Sequence, residues 1–91
     1  MIITTTTTTA PTNPCVGSFT TNTGAFIVAE TMDASGVFMV QVACPAPFGM
    51  LLMNNANFAP TPSTFSCDAA SGKYIYFPAG VQTPINTIGC S

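Results

Sequence analysis

The sequence predicts an all-β domain, a small sandwich or barrel of about six short antiparallel strands with an extended N-terminal arm. Three observations carry that expectation. Short runs rich in β-branched and aromatic residues recur along the chain, Gly and Pro punctuate them, and no segment sustains a helical period. The organisation reads as an arm over residues 1–14 followed by a single domain over residues 15–91. A chain of 91 residues has room for one thin core, because small domains bury a smaller share of their surface.

The arm begins with Ile2 and Ile3 and continues through Thr4, Thr5, Thr6, Thr7, Thr8 and Thr9. All eight side chains are β-branched and favour extended backbone, while Pro11 and Pro14 keep a helix from starting. Two readings stand: a disordered polar tail, or an arm that adds a strand to a neighbouring subunit, anchored by the two isoleucines.

Cys15–Thr23 reads as a short strand or loop around Val16 and Phe19. Gly24–Cys44 then forms the stretch around which the domain is organised, two apolar runs across a turn carrying Asp33, Ser35 and Gly36, the pattern of a β-hairpin. Neither run alternates cleanly. Phe26, Val28 and Glu30 are expected on one face and Ala25, Ile27 and Ala29 on the other; in the second run Phe38, Val40, Val42 and Cys44 oppose Val37, Met39, Gln41 and Ala43. A strand with one wet face alternates, so this hairpin is expected to be covered on both sides, by the rest of the chain or by another molecule. Val37 and Met39 are the candidate interface residues.

Pro45 and Pro47 end the hairpin. Met50–Met53 is assigned to a short strand, and Asn54–Ser63 to a loop with Phe58 tucked down as a plug. Thr64–Cys67 and Lys73–Phe77 read as a second hairpin across Asp68–Gly72. Its turn resembles the first, through shared Asp and Gly turn chemistry or through a diverged internal repeat. Val81, Ile85 and Ile88 are candidate positions of a last strand, with Cys90 fastening the terminus.

Charge is scarce. Side chains of Asp, Glu, Lys and Arg make up 4% of the chain, against roughly 25% in ordinary soluble domains, and the formal net charge is −2. Charge so sparse protects weakly against association, so the working form is expected to be an assembly rather than a small particle coated with Thr, Asn, Ser and Gln. With one Lys, no Arg and no His, the chain cannot neutralise a row of phosphates, which argues against nucleic-acid binding. Gln41, Pro45 and Pro47 interrupt the longest apolar stretch well short of a membrane span. The N-terminus has neither the basic nor the apolar region of a secretory signal. If Met1 begins the complete product, the chain is expected to be made in a cytoplasm and to leave by lysis or a leaderless route.

Cys15, Cys44, Cys67 and Cys90 favour two disulfides over free buried thiols or a metal site, since no Cys-x-x-Cys pair or His supports zinc. Three pairings are open; Cys15 with Cys44 and Cys67 with Cys90 close the shorter loops and are preferred. No catalytic site is expected, and no cofactor. The chain lacks an imidazole base, Asp33 and Asp68 have turn roles, and Glu30 is either an exposed strand-end charge or a partner of Lys73 should the hairpins pack together. Tyr74 and Tyr76 share one face of their strand. They read as core-edge tyrosines or as a flat platform for a partner or a sugar, with Asn54, Asn55 and Asn57 as candidate hydrogen-bonding neighbours. Met32, Met39, Met50 and Met53 read as adaptable core or interface filler.

These features describe a structural protein that works by association. In size, charge poverty and β-rich style the chain resembles small phage head-decoration (cement) proteins, a resemblance that carries over no site residues. It implies a virion-surface subunit that clamps neighbouring capsid subunits, with copies of itself and a major capsid or other scaffold protein as partners, and neither nucleic acid nor membrane. An extracellular fibre subunit and a small secreted carbohydrate-binding module using Tyr74 and Tyr76 are the alternatives. A toxin-like or inhibitor domain fits less well, because such chains carry more charge and denser cysteines.

Overall fold

A computed structural model describes residues 12–91. The arm residues Ile2–Thr9 therefore lie outside the described residues, and Thr12–Pro14 are the part of the 1–14 segment that is seen.

The described residues form nine strands: β1 (Thr20–Thr21), β2 (Phe26–Met32), β3 (Phe38–Ala43), β4 (Met50–Met53), β5 (Asn57–Pro60), β6 (Ser63–Asp68), β7 (Lys73–Tyr76), β8 (Thr83–Pro84) and β9 (Thr87–Cys90). They make two sheets in a sandwich-like arrangement, one in the order β1-β9-β4-β5 and the other β2-β3-β6-β7-β8. Every pairing is antiparallel except β1 with β9. The all-β class is as predicted; the strand count rises because β1 and β8 are two-residue edges and because β5 occupies a stretch expected to be loop.

The core lies between the sheets. Val40, Val42, Phe65, Tyr74 and Tyr76 face it from the five-stranded sheet, and Leu51, Met53, Ile88 and Cys90 from the four-stranded one. Phe19 and Ile85 fill it from outside the strands, with the Phe19 ring edge-on to Tyr74 at 5.8 Å between centroids. Val81, expected on a last strand, is exposed, as is Val16.

Local chemistry explains the turns. Asp33 Oδ1 accepts from Ser35 N, Ser35 Oγ and Val37 N at 2.9, 2.7 and 2.9 Å, and Gly36 takes a φ of 90°, closing the first hairpin. Gly72, at φ 71°, donates its N–H to Asp68 O at 2.8 Å and closes the second. Asn54 and Asn55 both adopt left-handed backbone, φ 54° and 55°, so the chain reverses there and β5 returns alongside β4. This reversal corrects the loop expected over Asn54–Ser63. Phe58 is not a plug either: it sits on the edge strand β5 with 59% of its surface exposed.

The two disulfides join Cys15 to Cys67 and Cys44 to Cys90. This corrects the preferred pairing. Loop length ranks closures only when nothing else holds the chain, whereas here strand pairing decides which cysteines meet. Cys44 follows β3 in one sheet and Cys90 ends β9 in the other, so that bridge fastens sheet to sheet. Cys15–Cys67 pins the start of the domain to β6.

Candidate functional site

The first hairpin is the feature with an unfilled requirement. Its strand β3 is half in the core: Val40 and Val42 are fully buried, and its other four residues are partly covered. Among the described residues its strand β2 forms the edge of the sheet, pairs with β3 alone and has all seven residues exposed. Phe26, Ile27, Val28 and Met32 keep 47, 45, 50 and 47% of their surface in water. Isolated exposed apolar residues are ordinary, but four on one seven-residue strand, with Val37 exposed just past the turn, concentrate apolar surface along this edge. Cover on both sides was expected for the whole hairpin; within the described residues the chain supplies it to β3 and not to β2.

A β-bulge governs which side chains share a face. The register runs Phe26 opposite Ala43, Ile27 opposite Val42, then Ala29 opposite Gln41 and Glu30 opposite Val40, so Val28 is the extra residue. Ile27, Glu30 and Met32 therefore lie on the core-side face, level with Val42, Val40 and Phe38, while Phe26, Ala29 and Thr31 lie on the outer face with Ala43, Gln41 and Met39. The expected grouping of Phe26 with Glu30 is overturned, because one inserted residue inverts the period-two pattern. Glu30 is exposed at a position level with a buried valine.

Glu30 and Lys73 do not meet, since β3 and β6 lie between their strands. Lys73 Nζ instead donates to Asn86 Oδ1 at 2.7 Å.

The predicted interface residues divide. Val37 is exposed and Met39 half-buried on the outer face. Tyr74 and Tyr76 are buried in the core, which corrects their assignment to a surface. Their strand lies inside the sheet, with β6 and β8 on either side, and the opposing sheet covers their faces. Both hydroxyls have internal partners: Asn13 Nδ2 donates to Tyr74 Oη at 2.8 Å, and Tyr76 Oη donates to Asn57 Oδ1 at 2.6 Å. Burial pushes the Tyr74 hydroxyl above the ordinary tyrosine value, opposed by the Asn13 bond and reinforced by the Glu30 charge.

Asn54 likewise works inward. Its Nδ2 donates to Pro84 O at 2.9 Å and its Oδ1 accepts from Asn86 N at 2.7 Å, latching the β4–β5 turn to the segment between β8 and β9. Asn54 and Asn57 are thus structural, Asn55 is exposed at the turn, and with both tyrosines buried they present no aromatic platform. Among the described residues there is no enclosed cleft and no grouping of three or more His, Cys, Asp or Glu side chains.

Sequence pattern marked the hairpin but missed the bulge and the edge position of β2. The doubled asparagine at 54 and 55, flanked by apolar residues, was the available signal for the β4–β5 hairpin.

No protein-family profile matches the chain, and no curated protein or solved structure does either.

Proposed function

We propose that this chain is a structural assembly protein, a virion capsid decoration (cement) subunit that stabilises a particle through contacts between subunits and through its N-terminal arm. The observation that carries this reading is the exposed apolar strand β2, four of whose seven side chains are large and apolar, in a chain with 4% charged residues. Such a surface lowers its free energy by being covered, at roughly 25 cal/mol for each Å² of apolar area removed from water. Two disulfides bracing a thin core suit a particle outside the cell, where thiols stay oxidised. The partners under this reading are further copies of the chain and the scaffold protein of the particle. The carbohydrate-binding alternative loses its support with Tyr74 and Tyr76 in the core.

Light scattering of the purified chain over a range of concentrations tests the reading. The expected native mass is a multiple of the 9.4 kDa chain, falling to a single chain when Ile27 and Met32 are both replaced by Ser. A single-chain mass at every concentration overturns self-assembly.

A further inference from the structure

The two sheets present four edge strands, and three of them are blunted. β1 and β8 are two residues long and β8 contains Pro84, while β5 ends in Pro60. Short edges and proline are how sheets avoid pairing with other chains. β2 differs: it has seven residues and no proline, and its only protective devices are the bulge at Val28 and the charge of Glu30.

The hydrogen-bonding groups that β2 leaves open can be named. Asp33 N donates to Val37 O at 2.9 Å, and bonded and non-bonded pairs alternate along an antiparallel ladder. Thr31 and Ala29 therefore bond to β3, and the N–H and C=O of Glu30 and Met32 point away from the sheet. Beyond the bulge, Ala29–Met32 forms an uninterrupted acceptor.

We propose that this edge receives residues Ile2–Thr9 of a second copy of the chain as an added strand. The inference rests on the assembly reading above and names the two surfaces that meet. Eleven residues precede the described chain, and eight consecutive ones, Ile2–Thr9, are β-branched and uncharged, suited to a strand that must lie beside Glu30. Pairing of β2 with β2 of another copy is disfavoured, because antiparallel pairing over Ala29–Met32 brings the two Glu30 carboxylates to neighbouring positions.

The segment of the same copy fits less well. Asn13 is bonded to Tyr74, and Cys15 to Cys67, one residue beyond the Ser66–Met39 pair and so at the Met32 end of β2. To run back from there along its own β2 the segment would have to pair parallel to it, the weaker arrangement per residue, whereas a second copy is free to approach antiparallel.

Amide hydrogen exchange followed residue by residue, combined with light scattering, tests the proposal on the full chain and on a chain lacking residues 1–10. In the full chain the Glu30 and Met32 amides are expected to be protected, increasingly so with concentration, and in the shortened chain to exchange about tenfold faster or more. The Thr31 amide, bonded to Met39, is expected to keep its protection in both and so reports that the fold is intact. A synthetic peptide of residues 1–11 is expected to restore protection to the shortened chain. Replacing Met32 by Pro is expected to abolish the peptide's effect while Met32→Ala retains it, since proline alone removes the outward N–H. An assembled chain with unprotected Glu30 and Met32 amides overturns this docking but leaves the assembly reading standing. Protection that is independent of concentration in a monomer assigns the edge to the chain's own segment and overturns the second copy as occupant. A monomer with both amides unprotected overturns both.

Discussion

Glu30 stands directly opposite Val40 in the β2–β3 ladder, yet Val40 is fully buried and Glu30 is exposed. The boundary of the core falls between two paired residues about 5 Å apart. Neighbouring strands of one hairpin thus belong to different solvent environments, and the difference is measurable in the single chain. Val40→Ala is expected to cost about 2 kcal/mol, from lost apolar burial and the cavity left behind. Ile27→Ala on β2 is expected to change stability by no more than about 0.5 kcal/mol. Urea unfolding at concentrations too low for association measures both, and equal costs would show that β2 is covered within its own chain.

The crossed disulfides make a second expectation. Cyanogen bromide cleavage after methionine places Cys15 in fragment 2–32, Cys44 in 40–50, and Cys67 with Cys90 in 54–91; trypsin then divides the last at Lys73. Without reductant, mass spectrometry should find 2–32 joined to 54–73 and 40–50 joined to 74–91. A 2–32 fragment joined to 40–50 would instead give the short-loop pairing. The bridges span 52 and 46 residues, so each is expected to contribute about 4 kcal/mol in the chain-entropy picture, less when the other is already closed.

The first turn carries a pH dependence. The Ser35 hydroxyl, then the Val37 N–H, hold the Asp33 carboxyl below its ordinary value by bonding its charged form. On acidification the unfolded chain therefore takes up this proton first. The stability linked to Asp33 is present above the unfolded carboxylate value, about 3.9, and is lost as pH falls through the depressed folded value. Asp33→Ala should lower the melting temperature at neutral pH and flatten its decline in acid. Thermal melts of both chains across the acid range check this, and parallel acid limbs would remove Asp33 from the pH response.

How far the sequence was readable followed the range of the interactions involved. Asp33 with Gly36 and Asp68 with Gly72 close turns from their own side chains and backbone, so both hairpins were visible in a few residues each. Asn54 and Asn55 act just as locally, but the two prolines after them obscured β5. Tyr74 and Tyr76 were placed correctly on one face of a strand; whether that face met water or the core depended on the strands beside and opposite them.

The sequence by itself determined the β class, the two turn-closed hairpins, the charge poverty and the involvement of all four cysteines. Tertiary structure alone decided the cysteine pairing, the burial of the tyrosines, the phase inversion at Val28 and the exposure of β2. The physical reason is distance along the chain: turns and strand propensity are settled within a few residues, whereas burial and disulfide partners depend on segments dozens of residues apart. An apolar strand reads the same whether its cover comes from its own chain or from a neighbour, and only the folded arrangement shows that the described residues leave β2 without the first.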